Sequence, residues 1–228
     1  MPRRLAYPLL AVATLATMPV ALCSIFLRAP EERVMGAVQK IFYVHVPLAS
    51  ITFLSVFVLL VGAVGYLWTR RAAWDHLSIA AAEVGLLYCT LVLITGPIWA
   101  KPAWGVWWTW EAKLTTTVIL WLLLAGILLA RAYAATPEQG ARIASILGAV
   151  AALDVPIVYK AVDWWRGQHP IVFGPGKPDP LAPGMGSALM LSMLAFVLLY
   201  ALLVASRMRL ADLSDRVAAC EEAASRER

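Results

Sequence analysis

The chain has 228 residues, of which 61% are hydrophobic and only 14% are charged. Charged residues make up roughly a quarter of an ordinary soluble domain, so this composition excludes a domain of that kind. It suits instead about six membrane-spanning helices of roughly 20 residues each. The net charge of +5 does not indicate a nucleic-acid partner, because the basic residues flank apolar segments, where they set membrane orientation.

Six apolar segments are long enough to cross a membrane. They cover approximately residues 6–27, 46–69, 77–99, 113–133, 143–162 and 186–206. Pairs of arginines alternate onto one face: Arg3 and Arg4, Arg70 and Arg71, Arg131 and Arg142, Arg207 and Arg209. By the positive-inside rule this face, with both termini, is cytoplasmic. The sequence therefore predicts an all-α integral membrane protein, with a six-helix domain at 1–210 and a cytoplasmic tail at 211–228.

The segment 31–45, between the first two spans, has the pattern of an amphipathic helix. One stripe at helical spacing contains Val34, Val38, Ile41, Phe42 and His45. Such a helix is suited to lying in the outer membrane interface, and it would place His45 at the corner just before the second span.

Tryptophans are concentrated in two connections between spans. Five lie at or after the end of the third span: Trp99, Trp104, Trp107, Trp108 and Trp110. Two more, Trp164 and Trp165, precede the sixth span. Scattered tryptophans at a bilayer edge are ordinary interfacial anchors. Indole also offers rigid apolar area, so this density favours a platform for a large, flat, apolar ligand.

The three histidines divide between the two faces. His45 and His169 lie on the outer face with the tryptophan-rich loop, whereas His76 lies on the cytoplasmic face. Two imidazoles beside an aromatic platform suit the axial positions and apolar faces of heme. Lipid headgroup contacts for the histidines, and a simple aromatic belt for the tryptophans, remain alternatives. Heme propionates could be neutralised by one of three residues, Lys101, Lys113 or Arg166.

Three motifs in these regions resemble one known family. KIFYVHVP, GPIWAKPAWGVWWTWEAKLT and PIVYKAVDWWRGQH are similar to CcmC, the heme exporter protein C family of bacterial cytochrome c maturation, which carries a tryptophan-rich "WWD" loop. In this chain the loop spans about 99–113. The resemblance implies that His45 and His169 are the axial ligands of heme b. It implies a heme platform of Trp104, Gly105, Trp107, Trp108 and Trp110.

Further positions belong to the implied site. Glu111 and Lys113 stand where the family commonly has Asp and Arg, so the sign of each charge is kept while the planar fork of Arg is lost. Trp164 and Trp165 are expected to form a wall beside His169.

The resemblance also implies a role in heme delivery. A protein of this family presents heme at the periplasmic surface of the bacterial inner membrane to the heme chaperone CcmE. It acts with CcmA and CcmB, which form an ABC transporter, and with the small membrane protein CcmD. We therefore expect a membrane-embedded delivery protein and not an enzyme. The alternatives are a heme lyase that attaches heme to apocytochrome, and a transporter subunit without a ligand of its own.

Overall fold

The computed structural model describes residues 2–31, 35–170, 181 and 184–226. Across these residues it forms six α-helices, each long and apolar enough to cross a membrane. They are α1 (Pro2–Cys23), α2 (Phe42–Thr69), α3 (Ala72–Trp104), α4 (Ala112–Ala132), α5 (Pro137–Trp165) and α6 (Met185–Arg226). The predicted all-α membrane bundle of six spans is confirmed.

Several helices are longer than the apolar segments that predicted them. α3 continues to Trp104, so the first part of the predicted loop is helical and only residues 105–111 connect α3 to α4. α6 continues as one helix to Arg226, so the described part of the predicted tail is helical, with its side chains largely exposed. Apolar content alone underestimates such helices, because the helix continues into turns whose residues are no longer mainly apolar.

The predicted amphipathic segment leads directly into α2. Its described residues form a 3-10 turn at Ala37–Ile41, and Phe42 already has helical dihedral angles. His45 therefore lies in the first turns of α2 instead of ahead of it, and only 5% of its surface is exposed. The predicted site residue is a buried helical side chain.

α2 passes through Pro47 because α6 supplies a replacement hydrogen bond. Proline has no N–H, so a helical Pro47 leaves the carbonyl of Tyr43, four residues earlier, without its usual donor. The hydroxyl of Ser192 on α6 donates to this carbonyl. Ser192 is fully buried, so the bond joins the beginning of α2 to the beginning of α6 away from water.

The helices pack as an antiparallel bundle. α2 packs closely against α3 and also against α5, α4 packs against α5, and α1 packs mainly against α6. The approach of α2 to α3 needs a small residue, because a Cβ at Gly62 would lie 2.8 Å from the backbone nitrogen of Ser78. α2 and α4 begin at the end of the bundle where α3 and α5 finish, and we refer to this as the cavity end.

Ion pairs hold the opposite end of the bundle. Arg131 at the end of α4 forms a bidentate pair with Asp75 in the first turn of α3. Nε2 of His76 lies 2.9 Å from Asp215 on α6, so the third histidine is engaged far from the other two. The acid Glu83 also pairs with α6, through both oxygens, to Arg207. Charged groups thus join α3 to α4 and α6 at this end of the bundle.

Candidate functional site

Four helix ends converge on a cavity of about 560 Å³. The beginning of α2 contributes His45, the end of α3 contributes Trp99 and Trp104, the beginning of α4 contributes Lys113, and the segment after α5 contributes His169. The volume falls within the range of roughly 300–1,000 Å³ that is typical of ligand pockets. The lining is mainly apolar, with a few charged or polar side chains, so the cavity suits a large apolar ligand with polar edges.

His45 is held in a defined orientation by α3. Its Nδ1 lies 2.8 Å from the hydroxyl of Thr95, and that hydroxyl donates its own proton to the carbonyl of Leu91 at 2.7 Å. A hydroxyl has a single proton to donate, so Thr95 accepts from the imidazole. This network assigns the proton of neutral His45 to Nδ1 and leaves the lone pair on Nε2. The ring is therefore prepared to bind an electrophile, such as a metal ion, through Nε2.

His169 lies beside Glu111, which immediately precedes α4. Nδ1 of His169 is 3.6 Å from Oε1 of Glu111, which is long for a hydrogen bond but close enough for an ion pair. Both atoms are buried, and neither has another hydrogen-bond partner among the described residues. The second oxygen, Oε2, accepts from the backbone N–H of Gln168 at 3.0 Å. Glu111 thus fixes both the backbone before His169 and the direction of its ring.

The protonation states of this pair follow from its surroundings. Burial lowers the pKa of the His169 imidazole, although the Glu111 carboxylate opposes that shift. The interaction with His169 holds the pKa of the Glu111 carboxyl below its usual value, against the effect of its own burial. A neutral imidazole faces an ionised carboxylate, so the proton of His169 is on Nδ1 and its Nε2 lone pair is free for a ligand.

The two imidazole rings are spaced as a metal ion between them would require. Their centroids lie 6.4 Å apart, with an interplanar angle of 44°. An ion held between two imidazole nitrogens, at about 2 Å from each, would place the centroids roughly 6 Å apart. Tertiary packing brings these two rings together, since they belong to different segments that are far apart in the sequence.

Two indoles flank the histidine pair. The Trp99 ring lies 5.9 Å from the His45 ring, and the Trp104 ring lies 5.8 Å from the His169 ring in an edge-to-face arrangement. Trp108 also lines the cavity. Aromatic rings in this arrangement restrict the imidazoles to their rotamers and supply a flat apolar wall.

The remaining residues of the predicted platform do not line the cavity, although they neighbour Trp104 and Trp108 in the sequence. Trp107 is 58% exposed and Trp110 is 76% exposed, and Trp110 packs edge-on against Trp108. Gly105 adopts a φ of +78° and ends α3, with its N–H bonded to the carbonyl of Lys101. Glycine adopts this left-handed conformation at little cost, so it lets the chain leave α3 and return to α4 within a few residues.

Trp164 and Trp165 occupy a different position. They end α5, pack edge-on against each other, and do not line the cavity. Both are more than half exposed. The structure thus separates them from the histidine pair, and their assignment as heme-binding residues stays a prediction.

The charged residues of the cavity are grouped on one side. Lys113 lines it from α4, and Lys160 and Asp163 line it from α5, where Nζ of Lys160 lies 2.9 Å from Asp163. Because Lys160 already has an anionic partner, Lys113 is the better candidate for an acidic group on a ligand. Of the other two predicted cations, Lys101 donates to the carbonyl of Gly105, and Arg166 does not line the cavity.

Sequence reasoning did not single out Thr95 or Gly96 as site residues, and it placed Trp99 only in the tryptophan-rich stretch, without linking it to His45. Thr95 orients His45, Trp99 packs against it, and a Cβ added at Gly96 would lie 3.5 Å from its Cε1. The i, i+4 spacing of Thr95 and Trp99 places both on one helix face, and this is the only sequence feature that could have linked them.

Comparison with known proteins identifies the family. The sequence model described as "CcmC: Heme exporter protein C" matches residues 3–223. The chain belongs to the heme exporter protein C family. Curated members include a heme exporter protein C from Escherichia coli K12, which is 32% identical over 205 residues, or 89% of this chain and 82% of the relative. The one from Haemophilus influenzae is 34% identical over 213 residues, or 91% and 85%.

A third relative matches a shorter region. The heme exporter protein C of Bradyrhizobium diazoefficiens is 35% identical over 162 residues, which cover 71% of this chain but only 61% of the relative. All three matches include most of this chain, so membership of the heme exporter protein C family rests on the bundle as a whole and not on the tryptophan-rich loop alone.

Proposed function

We propose that this protein binds heme b in the cavity, with His45 and His169 as the two axial ligands of the iron. The observation that carries the proposal is the pair of imidazoles 6.4 Å apart, each with Nδ1 directed to a neighbouring side chain and with no hydrogen bond at Nε2 among the described residues. Two protein nitrogens are too few for a bare ion such as zinc, which takes about four ligands, whereas a porphyrin supplies the other ligands itself.

The walls of the cavity suit the rest of the heme. The apolar indoles of Trp99, Trp104 and Trp108 can contact the porphyrin faces or edges. Lys113 can neutralise a propionate, as a point charge without the planar fork of arginine. Heme is the cargo of this site, and the protein supplies the ligands, the apolar walls and the compensating charge.

Exposed residues next to the cavity-lining tryptophans favour delivery. Val106, Trp107 and Trp110 are exposed and neighbour Trp104 and Trp108 in the sequence, so they offer a partner a surface close to the site. We propose that the heme chaperone CcmE receives heme here during cytochrome c maturation, and that CcmA, CcmB and CcmD act with this protein. On this proposal it is a delivery protein, and bond formation to heme takes place on the partner.

Absorption and resonance Raman spectroscopy of the purified, heme-loaded protein test the ligand assignment. We expect a low-spin six-coordinate spectrum that is lost in both His45→Ala and His169→Ala. His76→Ala is the matched control, because His76 is the third histidine and pairs with Asp215 at the opposite end of the bundle. A low-spin bis-histidine spectrum that survives in either ligand variant contradicts the proposal.

The delivery step needs a separate experiment. With CcmA, CcmB, CcmD and CcmE coexpressed, heme-stained CcmE is expected with the wild type and with His76→Ala, and is expected to be absent with His45→Ala or His169→Ala. Normal loading of CcmE by both ligand variants would exclude delivery from this cavity.

We further propose that the cavity end faces the periplasm and that both termini are cytoplasmic, in the bacterial inner membrane. Cys220 is exposed on α6 at the opposite end, and it can be made the only cysteine by replacing Cys23 and Cys89 with alanine. A membrane-impermeant maleimide should then label Cys220 in inverted vesicles but not in intact spheroplasts. Val106→Cys in a chain without the native cysteines should give the reverse result, and the opposite pattern would invert the proposed topology.

A further inference from the structure

We propose that the two axial histidines are unequal ligands, and that the iron loses His45 before His169 when heme leaves the cavity. This inference rests on the proposed heme site and concerns how that site releases its cargo. The difference lies behind the rings: a neutral hydroxyl from Thr95 behind His45, and a carboxylate from Glu111 behind His169.

The group behind a ligating imidazole tunes its strength. An acceptor at Nδ1–H draws the proton away from the ring and raises the basicity of the other nitrogen, and a charged acceptor does so more strongly than a neutral one. Such contacts to metal ligands commonly change metal affinity by about 10-fold to 100-fold when removed. His169, which has the Glu111 carboxylate next to its Nδ1, is therefore the stronger donor to iron.

Thr95 gives His45 only weak support. Its neutral hydroxyl accepts from Nδ1 at 2.8 Å, and its own proton is directed to the carbonyl of Leu91 at 2.7 Å, with a longer contact to the carbonyl of Val92. Thr95 fixes the tautomer and the direction of the ring without adding negative charge. His45 is thus well oriented but remains an ordinary neutral imidazole ligand.

Glu111 supports His169 in two ways. Oε2 accepts from the N–H of Gln168 at 3.0 Å and ties the backbone before the ligand to the start of α4. Oε1 faces Nδ1 of His169 at 3.6 Å, and because neither atom has another partner among the described residues, a shift of under 1 Å would close a charged hydrogen bond. Hydrogen bonds of this kind often tighten only when the ligand is bound.

The position of His169 after the end of α5 would by itself suggest the opposite order. His45 lies on a rigid helix, whereas His169 follows Arg166, where α5 ends in a left-handed turn. The two contacts of Glu111 compensate for the absence of a helix at His169, because one holds the backbone at Gln168 and the other orients the His169 ring. Glu111 is therefore a positioning residue for the site, acting through His169.

Carbon monoxide binding to the reduced, heme-loaded protein tests the order of ligand loss. Carbon monoxide displaces the weaker axial ligand. Its C–O stretching frequency then reports the donor strength of the ligand that remains. In the wild type we expect His169 to remain. Glu111→Gln should then shift the C–O frequency upward, and Glu111→Asp, which keeps the carboxylate, should recover at least half of that shift. Thr95→Val should leave the frequency unchanged but increase carbon monoxide affinity at least threefold, because it weakens the ligand that is displaced.

The outcomes separate this inference from the proposed function. A frequency that moves in Thr95→Val but not in Glu111→Gln shows that His45 remains, and it overturns the order. A frequency that moves in neither variant shows that these two side chains do not set ligand strength, and it also overturns the inference. If Glu111→Gln does not fold, Thr95→Val alone decides the order: carbon monoxide affinity raised at least threefold at an unchanged frequency supports it, and a moved frequency or an unchanged affinity overturns it. The proposed function fails in a different way, through a wild-type protein with no low-spin bis-histidine spectrum before carbon monoxide is added.

Discussion

The hydroxyl of Ser192 donates a hydrogen bond to the backbone carbonyl of Tyr43, and so replaces the bond that Pro47 removes from α2. The contact lies two residues from His45 in the sequence, and it connects the helix that carries one proposed ligand to the beginning of α6. A buried backbone acceptor without a partner is costly, so this single side chain helps to keep α2 helical through its proline.

Ser192→Ala should lower the free energy of unfolding by about 1–3 kcal/mol, because it leaves the Tyr43 carbonyl unsatisfied in an apolar environment. Ser50→Ala is the control, since the Ser50 hydroxyl donates to the carbonyl of Val46 within its own helix, where the backbone bond is kept, and we expect a change within about 0.5 kcal/mol. Denaturation in detergent micelles measures both. In a Pro47→Ala background the regained N–H can satisfy Tyr43, so the cost of Ser192→Ala should fall, and an undiminished cost would contradict this account.

Gly96→Leu should abolish heme binding without unfolding the bundle. A Cβ at position 96 already lies 3.5 Å from Cε1 of His45, so a larger side chain has to enter the cavity or displace the ring. Gly96→Ala makes only ordinary contact and should retain heme. Gly126→Leu is the matched control, because no neighbouring atom lies within 4 Å of the Cβ position there. Heme content per protein and the melting temperature should be measured together, and full heme loading of Gly96→Leu would show that the cavity is not the site.

Gly105→Ala should destabilise the protein by about 1–2 kcal/mol, because alanine has to adopt the left-handed conformation that ends α3. The loss is conformational, since no neighbouring atom lies within 4 Å of the new Cβ. Gly126→Ala, in the interior of α4, should be neutral or stabilising by up to about 1 kcal/mol. Thermal unfolding of both variants tests this explanation. Backbone strain should lower the melting temperature of Gly105→Ala alone, whereas a general intolerance of alanine would lower both melting temperatures.

Asp75→Asn should cost more than Glu83→Gln, although each removes one bidentate arginine pair. The side chains of Asp75 and Arg131 are 14% and 23% exposed, so water screens them little, and we expect a loss of about 1.5–3 kcal/mol. Arg207 is 45% exposed, and its pair with Glu83 should contribute less than about 1 kcal/mol. Both variants should be unfolded at low salt and at about 1 M salt. The higher salt concentration should reduce the destabilisation caused by Glu83→Gln more than that caused by Asp75→Asn. Equal destabilisation by the two variants would show that burial does not distinguish the pairs.

The sequence predicted the spans and the division of the histidines well, because both depend on local composition. Runs of apolar residues have to cross the membrane as helices, and the number of spans between two residues decides whether they share a face. His45, His169 and the tryptophan-rich loop could therefore be assigned to one end of the bundle before any contact was known. The helix ends were less predictable, since α3 and α6 extend beyond their apolar segments.

Only the tertiary structure decided which of these residues meet. Trp104 and Trp108 line the cavity with the two histidines, whereas Trp164 and Trp165 lie outside it, although all four belong to tryptophan-rich stretches next to helix ends. Thr95 and Glu111 lie behind the two imidazoles because α3 packs on α2 and α4 packs on α5. Local sequence determines helices and their direction, but the distance between side chains on different helices depends on how those helices pack.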